Sequence, residues 1–167
     1  MFVTLKSGKS IPLVALLDTG CTGLVISTLA VQKLNAVTWE EMITIKVLGD
    51  TTKAFKPMCK LDLLSSFDQK VQFLSQRAIV MDEIPVDPSN IPQQNTVSQY
   101  SFMHDVKVNT SHHTRVDMIV GVNLASTWCI PRDYRRGAPN LPFGILTDWG
   151  WTLTGGQKPS TQLCQLT

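Results

Sequence analysis

Charge is scarce in this chain. Asp, Glu, Lys and Arg make up 17% of its 167 residues against 43% apolar residues, and the net charge is +2. That much apolar surface excludes a disordered chain, and so small a net charge does not by itself argue for nucleic acid. Long apolar runs are missing as well: none approaches the ~18 residues of a membrane-spanning helix. Lys6, Lys9 and the polar residues between them interrupt the amino-terminal segment, which excludes the layout of a secretory signal. Cysteine is sparse. Cys21, Cys59, Cys129 and Cys164 stand far apart, no Cys-x-x-Cys occurs, and His104, His112 and His113 lie at no ligand spacing from them. Nothing there defines a metal site, and reduced, mostly packed thiols in a cytoplasmic setting are the better reading. The length favours one domain, able to bury about 70% of the surface its unfolded form exposes.

What the chain does contain is organised around Ala15-Leu16-Leu17-Asp18-Thr19-Gly20, continuing as Cys21-Thr22-Gly23-Leu24-Val25-Ile26-Ser27. An apolar run ends on one carboxylate, and a second apolar run starts six residues later. Three consecutive apolar residues read as a buried strand that delivers Asp18 to a place with little water. A carboxylate there must be paired, hydrogen-bonded or protonated. Gly20 and Gly23 permit a sharp turn and close backbone approach, and Thr19 offers a hydroxyl to orient the carboxylate. The plainer reading is a turn between two strands, since Asp and Gly are common turn formers. The apolar flanks on both sides argue against a surface turn.

Along the chain, residues 2–5 and 11–17 read as strands around a turn at 6–9, 24–27 as a third strand, and 28–34 as a short helix capped by Ser27 or Thr28. Residues 42–48 and 51–64 form a long hairpin that turns at Gly49-Asp50. Further strands are expected at 71–74 and 78–81. The segment 84–101 carries Pro85, Pro88 and Pro92 among Asn, Gln and Ser and reads as loop; order returns over 100–108, and 110–115 is a turn. Residues 116–120 read as a strand interrupted by Asp117, and 123–128 as a short helix. Arg132, Arg135 and Arg136 lie in a basic loop over 130–140 that is expected to be a solvated surface, with strands closing the fold at 141–146 and 149–154.

Ala15 to Gly20 resembles the active-site motif of retropepsin-type aspartic proteases. Ile119-Val120-Gly121, within the run Val116 to Leu124, is similar to that family's apolar-apolar-Gly motif opening a short helix. Thr147-Asp148-Trp149-Gly150-Trp151-Thr152-Leu153-Thr154-Gly155 resembles the end of the protease region in BEL/Pao-type retrotransposons. The three occur in the family's order. The resemblance implies an all-β domain over 1–155: a retropepsin-like closed β-sheet with a flap hairpin and one or two short helices, homodimeric. Residues 84–115 would be a loop-rich insertion and 156–167 a polar tail or linker. The chain reads as a piece of a longer polyprotein, with Met1 added to it.

Only one Asp-Thr-Gly occurs, and Trp149 cannot play the part of Thr19 in a second one. An aspartic protease needs two carboxylates, so the resemblance implies pairing with a second copy that brings two Asp18 side chains together on a two-fold axis. Two carboxylates that close share one proton: the ionised one takes a proton from the attacking water while the other polarises the scissile carbonyl. The implied catalytic residues are Asp18, Thr19 and Gly20. Leu48, Gly49, Asp50 and Thr51 would cover a polypeptide substrate, and Met118, Ile119 and Gly121 would wall its pockets. Neither cofactor nor metal is called for, and membrane and nucleic acid are not expected partners. The implied activity is an aspartic endopeptidase processing a retrotransposon polyprotein, in the cytoplasm or within virus-like particles. The alternative is a catalytically silent dimer of the same fold that serves as an assembly module.

Overall fold

The computed structural model describes residues 2–4, 10–47, 49–65, 72–108 and 114–155. The expected turn at 6–9, Leu48, Val71, residues 110–113 of the second turn and the 156–167 tail lie outside the described residues. The larger sheet comprises β1 (Phe2–Thr4), β2 (Ser10–Pro12), β3 (Ala15–Leu17), β4 (Leu24–Ser27), β5 (Thr38–Val47), β6 (Asp50–Leu64), β7 (Gln72–Met81) and β8 (Met118–Val120). Its strand order is β2-β1-β6-β7-β4-β8-β3, with β5 paired to β6. A smaller antiparallel sheet holds β9 (Asp133–Arg136), β10 (Phe143–Thr147) and β11 (Gly150–Thr154). Helices are few and short: α1 (Thr28–Leu34), α2 (Gln94–Val97) and 3-10 turns at Pro88–Asn90, Ser101–Met103 and Val122–Thr127. None of the helices among the described residues is long and apolar enough to cross a membrane.

The architecture is all-β, but the closed sheet is a correction. Among the described residues no barrel closes through hydrogen bonds. The two ends of the strand path, β2 and β3, are separated in the chain only by Leu13 and Val14, so the sheet curls until its ends adjoin covalently. The single strand expected at 11–17 breaks at this point for a local reason. Pro12 has no N–H to donate to a ladder. Val14 turns its own N–H to Asp117 Oδ2 at 3.0 Å, and its carbonyl accepts from the backbone N–H groups of Asp117 and Met118.

Other elements follow their local chemistry. Ser27 caps α1 by accepting from Ala30 N–H at 3.2 Å, and Asn35, at φ 52°, ends the helix in the left-handed region. The long hairpin turns at Gly49, at φ 81°, and β5 runs longer than its alternating sequence suggested, from Thr38. The strands expected at 71–74 and 78–81 are one strand, β7. Ser75, at φ 53°, donates its N–H to Asp62 Oδ1 at 2.7 Å, and the ladder with β6 slips between Leu61 and Leu63, so a bulge absorbs the polar interruption.

The main core lies under the large sheet and α1. Leu24, Ile26, Leu34, Leu61 and Leu63 are almost wholly buried there, each contributing roughly 1.5–3 kcal/mol relative to an exposed side chain. The 84–108 segment, expected to be mostly loop, has cores of its own. Val97, Met103, Val106 and Val108 pack with Tyr100, Phe102, Trp151 and Leu153, while Ile84, Ile91 and Val116 pack with Val14 and Ile119. The basic loop at 130–140 instead contains β9, in register with β10. Two of its arginines are tied: Arg135 to Asp105 and Asp133, and Arg132 to Asp148.

Candidate active site

The loop that carries Asp18 joins two strands that are not neighbours. β3 leads into it and β4 leads out, yet β8, about a hundred residues downstream, lies between them, parallel to β3 and antiparallel to β4. The loop is therefore stretched over the end of β8 and bonded to it. Asp18 N–H donates to Val120 O at 3.0 Å, Gly121 N–H to Gly23 O at 2.9 Å, and Val122 N–H to Cys21 O at 2.8 Å. A β-carbon at Gly121 would sit 2.4 Å from both the Cys21 and Gly23 carbonyl oxygens, so only glycine fits under the loop. Asp117, read from sequence as an interruption of an apolar run, is buried and pins the base of the site. Its carboxylate accepts from Val14, at the start of β3, and its carbonyl accepts from Ser27 N–H at the end of β4.

Asp18 itself is half-buried. Its Oδ1 accepts from Gly20 N–H at 2.8 Å, and a β-carbon on Gly20 would lie 3.2 Å from that oxygen. This bond fixes the carboxylate over the loop and leaves the second oxygen free of the turn. Thr19 and Gly20 are exposed. The buried strand expected before Asp18 needs correction: β3 is only half-buried, with Leu16 37% exposed. Among the described residues β3 pairs with β8 alone, so its other edge has no strand partner there.

A cleft of about 930 Å³ opens along that edge. Residues 12–19, Asp18 and Thr19 included, line one part of it. Trp149 and β11 line another, and Val86, Ile91, Lys107 and Val108 of the 84–108 segment a third. The 3-10 turn after Gly121 is locked to the same region. Trp149 Nε1 donates to Thr127 Oγ1 at 2.7 Å, and Thr127 Oγ1 donates to Leu124 O at 2.6 Å.

The structure brings together Asp18, Thr19, Gly20 and Gly121, of which Asp18 and Thr19 line the cleft, whereas Gly49, Asp50, Thr51, Met118 and Ile119 do not; Leu48 lies outside the described residues. Met118 is fully buried in the main core and does not line the cleft. Ile119 packs into the small core with Ile84, Ile91 and Val116. Gly49, Asp50 and Thr51 sit at the tip of the β5–β6 hairpin, and none of them lines the cleft. β6 pairs with β7 only from Met58 onward, so among the described residues the outer hairpin is a two-stranded ribbon with no third strand beside it. Trp39 Nε1 and Arg77 brace its base through Glu41, whose carboxyl is held below its ordinary value by both.

Prolines and polar residues made 84–101 read as loop, and although order was expected over 100–108, no local signal tied Lys107 and Val108 to the Asp18 cleft. Among the described cysteines Cys59 is buried, Cys21 half-buried and Cys129 exposed beside the cleft, so one of these three is fully packed. Among the described residues no group of His, Cys, Asp or Glu is gathered to hold a metal. Comparison with protein-family models, curated proteins and solved structures found no match for this chain.

Proposed function

We propose that the chain is an aspartic endopeptidase active as a homodimer, with Asp18 contributed by each copy, and that it processes a retrotransposon polyprotein. The observation that carries this reading is the Asp18 loop itself: a lone carboxylate, presented at the mouth of a cleft by a loop stretched over an inserted strand and closed on Gly121. One chain supplies one such carboxylate, and the edge of β3 that has no strand partner among the described residues, with exposed Leu16 and Thr19, leaves room for a second copy. Across the two-fold axis the Asp18 pair shares a proton. The ionised member deprotonates water as the protonated member polarises the peptide carbonyl. The Thr19 hydroxyls brace the pair from below. The β5–β6 ribbon moves toward the cleft to cover an extended peptide, since nothing among the described residues ties its outer half down.

The second reading is a dimer of the same fold that does not cleave. It draws on Met42 and Phe55, directly paired on the ribbon and 53% and 65% exposed, a surface suited to an assembly contact.

The test is cleavage of peptides from the flanking polyprotein at about pH 5 by the parent chain and by Asp18→Asn, alongside sedimentation. Cleavage by the parent alone, rising with dimer content, supports the protease. Equal cleavage by both sinks the role of Asp18, and a confirmed dimer that cleaves nothing favours the assembly module.

A further inference from the structure

Lys107 occupies a built position. Its neighbours Val106 and Val108 are buried in the core of the 84–108 segment, 0% and 8% exposed. A single side chain clamps the backbone on both sides of it: Gln94 Nε2 donates to Val106 O at 3.1 Å, and Gln94 Oε1 accepts from Val108 N–H at 2.8 Å. With its neighbours turned inward, Lys107 projects outward, is exposed, and lines the same cleft as Asp18.

The charges in that cleft are unequal in availability. Asp18, Asp105 and Lys107 are the charged residues lining it among the described residues. Asp105 is already engaged, both of its oxygens accepting from Arg135. Lys107 has no hydrogen bond or ion pair among the described residues. The rest of the lining is largely apolar, with Trp149, Trp151, Ile91 and Val86 contributing. A site of this kind is apolar with one oriented charge, and that charge sets what is preferred.

We propose that Lys107 is a specificity-determining residue that selects a carboxylate-bearing side chain in the peptide bound at the Asp18 cleft. The proposal rests on the protease reading above and adds the chemistry of the substrate. Lys107 is solvent-exposed, so the preference is modest, roughly two- to fivefold in kcat/KM for Glu over Gln. It weakens with salt, which screens an exposed pair.

The test starts from one cleaved peptide, with Glu, Gln or Lys placed in turn at each of the three positions on either side of the scissile bond. It compares the parent chain with Lys107→Ala, Lys107→Glu and Gln94→Leu. The expected result is a position where the parent favours Glu, where Lys107→Ala is indifferent, and where Lys107→Glu favours Lys. Gln94→Leu keeps the charge but narrows the preference, and about 0.5 M salt does the same to the parent. Lys107→Ala and Lys107→Glu melt with the parent chain, because Lys107 is exposed and its loss leaves the fold intact. Intact cleavage with no charge preference, or with the same preference in every Lys107 variant, overturns the proposal and leaves the protease reading standing. Cleavage of no peptide by a confirmed dimer overturns both.

Discussion

Gly121 donates its backbone N–H to the carbonyl oxygen of Gly23 at 2.9 Å, and so ties the far end of the Asp18 loop to a strand nearly a hundred residues later in the chain. The two glycines act differently. Gly23 has open space where a β-carbon would go, whereas Gly121 has two carbonyl oxygens there. The contact is thus the point where backbone packing, and not side-chain chemistry, decides whether the loop can close.

Gly121→Ala is therefore expected to be severe. A methyl 2.4 Å from backbone oxygens cannot be relieved by turning a side chain, so β8 or the loop must move. The expected cost is about 2–4 kcal/mol. Gly23→Ala, with nothing within 4 Å of its new carbon, should cost less than about 1 kcal/mol. Urea unfolding of both variants checks the contrast, and equal midpoints would contradict it.

Asp18→Asn should separate activity from folding. The amide oxygen can still accept from Gly20 N–H, so the loop bond survives. Stability should change by less than about 1 kcal/mol while cleavage falls by at least about 100-fold. Thermal melting beside a peptide assay reads both, and a variant that melts much earlier would give Asp18 a structural role in place of a catalytic one.

Thr127→Val tests the lock between the 3-10 turn and the β10–β11 corner. The substitution keeps the shape but removes the acceptor used by the buried Trp149 Nε1 and the donor to Leu124 O. The expected loss is about 1–3 kcal/mol. Thr127→Ser, which keeps the hydroxyl, should recover most of it. If the two variants are equally stable, the hydroxyl is not what holds this corner.

Arg135 knots the 84–108 segment to the small sheet, and the knot is sensitive to acid. Hydrogen bonding to Arg135 lowers the Asp105 and Asp133 carboxyls below their ordinary value. A carboxyl that is lowered on folding contributes stability present above its unfolded value and lost as pH falls through its folded one. Amide exchange over 94–108, corrected for intrinsic rates, should therefore be flat from pH 7 to about pH 5 and rise below about pH 4. Arg135→Leu should remove that dependence; an unchanged profile would mean that the segment is held by its apolar contacts alone.

Thiol labelling should follow burial. Desolvation pushes the Cys59 thiol up to about 11 and leaves it protonated and shielded. Cys129, exposed at the cleft, should react first at neutral pH, and Cys59 only after unfolding. A bulky label at Cys129 should also slow peptide cleavage, because that residue lines the cleft with Asp18. Rapid labelling of Cys59 in the folded chain would contradict its burial.

Local chemistry was sufficient for much of this molecule. Ser27 announced the start of α1 because a hydroxyl before an amphipathic run satisfies a free backbone N–H, and Gly49 marked the hairpin because its positive φ suits few other residues. The Asp18 loop stood out because a carboxylate and two glycines between apolar strands have few structural uses. The single motif likewise led to the expectation of a second copy. What local chemistry could not supply was every feature that depends on a distant partner. The polar break at Ser75 became a bulge only because Asp62 was there to receive its N–H. Asp117 looked like an interruption until Val14 and Ser27 arrived from opposite sides to bond to it. Residues 84–101 read as loop because their apolar residues are too widely spaced to show a period, and Val97 finds Met103, Val106 and Val108 only where Trp151 and Leu153 pack against them. The hairpin was legible, but its distance from the cleft was not, since the position of a two-stranded ribbon is set by packing at its base and not by its own residues.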